Sequence, residues 1–157
     1  MSRTRLAAAL VAAALLALVT GGAYALGYRV NLADGSVAPP SASAGPDAVV
    51  RTYVDAFNRR DAATMAAIYP GGDQFHRFRA MGTMRDLQIT SSAPMSKSYR
   101  RGSPAERHRD AYAVQISTDY RGFDPDLAYE PGRNGWIYFL VRDADYQPWQ
   151  IVSQGTG

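Results

Sequence analysis

The sequence predicts an α+β protein: an N-terminal hydrophobic helix, then two to three helices packed on an antiparallel sheet of about four strands. Three observations predict it. An apolar stripe of helical period covers residues 49–57 and resumes at 65–69. A largely apolar face alternates with a largely polar one from Tyr112 to Arg121. Residues 6–28 contain no charge.

The N-terminal segment comes first. Arg3 and Arg5 precede the uncharged run of 23 residues from Leu6 to Tyr28. At helical rise that run spans roughly 34 Å, enough to cross a bilayer. Its strongly apolar part, Leu6 to Val19, has signal-peptide length, and Ala23-Tyr24-Ala25 fits a cleavage site. Both a cleaved signal peptide and a retained anchor over 1–28 put the remainder outside, because the positive charge comes first. Residues 29–45, with the stretch DGSVAPPSASAGP, read as a disordered linker. The folded domain is expected over 46–157.

Val49, Val50, Tyr53, Val54 and Phe57 form one helical stripe, with Pro46 and Asp47 suited to the first turn. Arg51, Asp55 and Arg59 are spaced for an ion-pair ladder on the other side. Asn58-Arg59-Arg60-Asp61 breaks the helix, and Asp61 is placed to cap a second one carrying Met65, Ile68 and Tyr69. Pro70-Gly71-Gly72 ends it. Phe75, Phe78 and Met81 are candidates for a short third helix.

Four strands follow. Leu87 and Ile89 mark one over 85–92, and SSAPMSKSYRRGSPAE reads as a loop. Tyr112, Val114, Ile116, Thr118 and Tyr120 face a core, with Asp119 turned to solvent. Trp136 to Val141 is apolar on both faces and suits a central strand. A turn at Asp143–Pro148 returns the chain through Trp149 and Ile151.

VVRTYVDAFNRRDAATMAAIYP and the closing YFLVRDADYQPWQIVSQGTG resemble the nuclear transport factor 2-like superfamily, in its SnoaL-like and small exported branches. That resemblance implies a cone: a bent antiparallel sheet with the helices across its concave face, enclosing a pocket. Some members are cyclases or isomerases with an acid–base residue there, and many pair through the sheet. The resemblance therefore implies a homodimer through the sheet as a partner state.

Tyr53, Phe57, Tyr69, Tyr112 and Trp136 are the candidate pocket-lining residues, with aromatic core filling as their ordinary role. Asp86, Asp110 and Asp119 fall at strand ends or on the polar face, and His76 and His108 sit among arginines, so no catalytic residue is assigned. Asp124, Asp126 and Glu130 lack the spacing of a calcium loop. With no cysteine, thiolate sites and disulfides are excluded, and neither metal nor cofactor is expected. Without Arg3 and Arg5 the chain has 15 basic and 14 acidic residues. Eight of the basic ones lie within 76–109, including Arg77, Arg79, Arg100, Arg101, Arg107 and Arg109. No nucleic-acid motif frames them, and nucleic acid is not an expected partner. The membrane is, through an uncleaved N-terminal helix. The expectation is an exported or membrane-anchored non-catalytic domain that binds a small ligand or an envelope partner. The alternative is a SnoaL-like enzyme.

Overall fold

The structure, a computed structural model, describes residues 3–26, 35–72, 81–123 and 131–156. Helix α1, Arg3–Ala25, is long and apolar enough to cross a membrane, and none of its apolar window is buried against the rest of the chain. Leu10, Leu16 and Leu18 are all exposed. A helix that is apolar all round and unburied leaves its hydrophobic surface free for lipid or for a signal-sequence receptor.

Residues 35–45 carry no regular structure, but they do not hang free as a disordered linker would. The Val37 N–H donates to Asp61 Oδ2 at 2.8 Å, and the Thr64 hydroxyl donates to the Val37 carbonyl at 2.7 Å. Val37 and Ala44 also pack against the main core. The compositional argument missed these contacts because the linker's few apolar groups find a partner in the domain itself.

Helix α2, Pro46–Asn58, starts on Pro46 and buries Val49, Val50, Tyr53, Val54, Ala56 and Phe57. Of the expected ladder, the Asp55–Arg59 half forms at 3.0 Å. The chain breaks at Arg60, whose φ is +58°. Helix α3, Ala62–Ile68, is capped by Asp61, which accepts from the Thr64 N–H. Arg60 itself is buried, and its guanidinium donates to the carbonyls of Phe57 and Gly82. That contact ties the helical junction to the sheet.

Four strands, β1 (Met81–Pro94), β2 (Asp110–Phe123), β3 (Gly132–Arg142) and β4 (Gln150–Thr156), form an antiparallel sheet in the order β1-β2-β3-β4. Several boundaries differ from expectation. β1 begins at Met81, so that residue belongs to a strand; Phe75 and Phe78 lie outside the described residues. β3 begins four residues before Trp136, because Gly132 to Gly135 pair with β2 although they carry no apolar signal. Between β1 and β2 the expected loop contains helix α4, Lys97–Arg100, and a 3₁₀ turn, Pro104–Arg107.

The inner face of the sheet meets α2 and α3. Val114 lies opposite Tyr138 and Ile116 opposite Trp136, and both pairs are buried in the main core with Tyr120, Leu140, Trp149 and Ile151. A second, smaller core occupies the outer face, where Met95, Ala105, Ala111 and Val141 are buried against Ala113, Phe139 and Val152. The double-sided apolar character of β3 is thus realised: its even residues face the helices, and its odd ones face the 95–109 excursion.

Candidate functional site

The five predicted pocket residues lie in or against the main core. Tyr53, Phe57 and Trp136 are buried, and Tyr69 and Tyr112 are partly so. They pack edge-on with one another and their neighbours: Tyr53 with Tyr69 and Tyr138 at centroid distances of 6.2 and 5.6 Å, Trp136 with Tyr120 at 6.3 Å, and Tyr112 with Trp149 at 5.8 Å. Such pairs stabilise a core beyond the area they bury. Burial pushes the Tyr53 phenol well above its ordinary range, with Tyr69 adding to the effect, and burial likewise raises Tyr69. Neither ring therefore offers an ionised phenolate at neutral pH.

Described residues enclose recesses elsewhere, around the excursion between β1 and β2. The excursion is closed by Arg100, whose guanidinium donates to the carbonyls of Met95, His108 and Arg109 at 3.1, 3.2 and 3.1 Å. Held this way, α4 and the 3₁₀ turn stand over the outer face of β3 and β4. Between them lies a recess of about 130 Å³ lined chiefly by Met95, Tyr99, Pro104, Ala105, Phe139 and Val152. Tyr99 leans on Phe139 with 6.0 Å between centroids, yet it remains 59% exposed. The site is apolar and reachable. Sequence reading overlooked it because Ser, Gly and Pro dominate the segment; the signal present was Met95 and Tyr99 at i, i+4.

A second recess, polar and about 320 Å³, opens at the β3–β4 turn beside His108, Arg142, Asp143, Gln147 and Gln150. His108 Nδ1 lies 3.0 Å from Asp143 Oδ2, and the Arg109 N–H donates to Asp143 Oδ1 at 3.0 Å. The Arg109 N–H first, and His108 second, hold the Asp143 carboxyl below its usual range. Asp110 is lowered in the same sense by Arg109 and then Arg142, and it lies 3.1 Å from the latter. Arg142 also stacks over Trp149 at 4.6 Å. A histidine oriented by a carboxylate is the arrangement a general base needs. Here no serine, threonine or cysteine is among the described residues lining the recess. The network latches the start of β2 to the end of β3 through charges that neutralise one another.

The remaining sequence candidates are dispersed. Asp119 pairs with Arg121 at 2.8 Å, and Asp86 is exposed at a φ of +50° in the irregular part of β1. His76, Arg77, Arg79, Asp124, Asp126 and Glu130 lie outside the described residues. Among the described residues no three acidic or imidazole groups gather to hold a metal. Among the described members of the basic block, Arg100 and Arg109 are spent on carbonyls and carboxylates, while Lys97, Arg101 and Arg107 are exposed. Comparisons with protein-family models, with curated proteins and with solved structures find no match for this chain.

Proposed function

We propose that this chain is an exported domain, anchored by α1 or released after cleavage near Ala25, that binds a small apolar ligand without transforming it. The observation that carries the reading is the outer-face recess formed by Met95, Tyr99, Pro104, Phe139 and Val152. Its volume is near that of a dry apolar cavity able to take up a benzene-sized molecule. Export is supported by the unburied apolar helix behind two arginines. The succession of helix, helix and four antiparallel strands is consistent with a nuclear transport factor 2-like cone, and we carry that fold as part of the proposal. A cyclase or isomerase would need an acid or base in the concavity. Besides the phenols of Tyr53, Tyr120 and Tyr138, the polar side chains buried among the described residues are Arg60, Thr64, Thr83 and Thr118.

One experiment tests location and another tests binding. A phosphatase fused after Gly157 should be active only when the fusion carries residues 1–28. Thermal unfolding with a panel of benzene-sized compounds should show saturable stabilisation that Val152→Phe removes. Activity without the helix, or stabilisation indifferent to Val152, would overturn the corresponding half.

Self-association through the sheet is a second reading, and one observation favours it. Ile137, Phe139 and Val152 are only half-buried on the outer face. Light scattering of the purified chain distinguishes a dimer from a monomer, and a dimer disrupted by Ile137→Glu would support it.

A further inference from the structure

We infer that the outer recess selects a compact apolar group bearing a single carboxylate, an aryl-acetate or a short acyl chain, with Arg107 as the anion's partner. This rests on the reading that the recess binds a small apolar ligand.

Two neighbouring recesses share Ser103 and Pro104 as a common wall. One is the apolar recess of Met95, Tyr99, Phe139 and Val152; the other is lined by Gly102, Glu106 and Arg107. Glu106 is already engaged, because its carboxylate accepts from the Gly102 N–H at 2.9 Å. Arg107 has no ion-pair partner among the described residues, and it lies in the last turn of the 3₁₀ segment. Residues 95–108 carry four basic side chains (Lys97, Arg100, Arg101, Arg107) against Glu106 alone, a net of +3 with His108 neutral. An apolar group of about 130 Å³ seated over Phe139 would place a substituent beside Pro104, the wall that this recess shares with the one lined by Arg107. A carboxylate suits it better than a phosphate monoester, since Glu106 in the same recess opposes a second negative charge.

The test uses the full chain in lipid nanodiscs and fluorine NMR of two probes with the same ring. These are 4-fluorophenylacetate and its neutral counterpart 2-(4-fluorophenyl)ethanol, with Val152→Phe as the control for partition into lipid. Both probes should bind saturably, the carboxylate roughly two- to fivefold more tightly, the span that an exposed ion pair supplies. Arg107→Gln should equalise them while leaving the alcohol unchanged. Val152→Phe should weaken both, and Tyr99→Ala, at an exposed position, serves as a second variant should Val152→Phe fold poorly. Equal affinities in the unaltered chain, or a preference that survives Arg107→Gln, would overturn the anion assignment and leave apolar binding standing. No saturable binding of either probe to the unaltered chain, or binding of both that neither Val152→Phe nor Tyr99→Ala weakens, would overturn the assignment and the underlying reading together.

Discussion

The side-chain amide of Asn58 pairs with the main chain of Met84 in both directions: its Nδ2 donates to the Met84 carbonyl, and the Met84 N–H donates to its Oδ1, each at 2.8 Å. An amide side chain thereby stands in for a neighbouring strand on the edge strand β1, and it does so from the last residue of α2. With Arg60 on the Gly82 carbonyl, it fixes the helix junction to the sheet over three residues of β1. Neither contact involves an apolar surface.

Asn58→Ala should therefore destabilise the domain by about 1–3 kcal/mol, because two half-buried backbone groups lose their partners. Asn58→Asp should cost a comparable amount. It keeps the acceptor for the Met84 N–H but sets a carboxylate against a carbonyl oxygen. Denaturant midpoints for both variants check this, and a midpoint unmoved in both would mean water replaces the amide without loss.

Asp61 links the chain's entry to acid stability. The N–H of Val37, followed by that of Thr64, holds its carboxyl below the ordinary range. A depressed folded pKa means that the unfolded chain takes up the proton more readily. The stabilisation is thus whole above the unfolded value of about 4 and fades as pH falls through the folded one. Unfolding measured at about pH 7 and about pH 3 should show a smaller loss for Asp61→Asn than for the unaltered chain. Some loss must remain in the variant, because Asp110 and Asp143 are shifted in the same direction. Identical losses would remove Asp61 from the account.

Gly82 admits the ring of Tyr120. A Cβ built at that position would stand 2.5 Å from the Tyr120 hydroxyl oxygen and 2.6 Å from its Cζ. Both residues are buried, so neither can step aside freely. Gly82→Ala should cost about 1–3 kcal/mol as an overpacked site. Combining it with Tyr120→Phe should not restore stability, since removing the hydroxyl leaves Cζ in place. Recovery in the double variant would show that the oxygen alone made the conflict.

The helices and the inner face of the sheet were legible in the sequence because one side of each is buried and the other is wet. Val49 to Phe57 and Tyr112 to Tyr120 write that asymmetry directly into their spacing. What escaped reading is held by other means. Val37 docks through its backbone, Arg60 is buried through carbonyls, and the β3 extension at Gly132–Gly135 is held by pairing alone. None of these leaves a periodic trace. The candidate recess escaped for a related reason. Its walls come from an excursion of small polar residues and from the odd side of β3, which meet only once the sheet exists.

Trp136 and Tyr146 lie far apart in burial. Trp136 is 2% exposed in the middle of β3, edge-on to Tyr120 and opposite Ile116, whereas Tyr146 is 81% exposed in the turn before β4. Replacing a buried tryptophan with alanine removes its transfer free energy and leaves a cavity, at a cost of about 3–5 kcal/mol. Total stabilities of single domains run to roughly 5–15 kcal/mol, so Trp136→Ala should leave the protein at the edge of folding at body temperature. Tyr146→Ala should stay within about 0.5 kcal/mol of the unaltered chain. Thermal melts followed by near-ultraviolet circular dichroism read both, with Trp149 retained as the reporting chromophore. A cooperative transition for Trp136→Ala near that of the unaltered chain would mean the inner face closes over the gap, and the sheet would then be held to α2 and α3 chiefly by Tyr53, Tyr138 and Leu140.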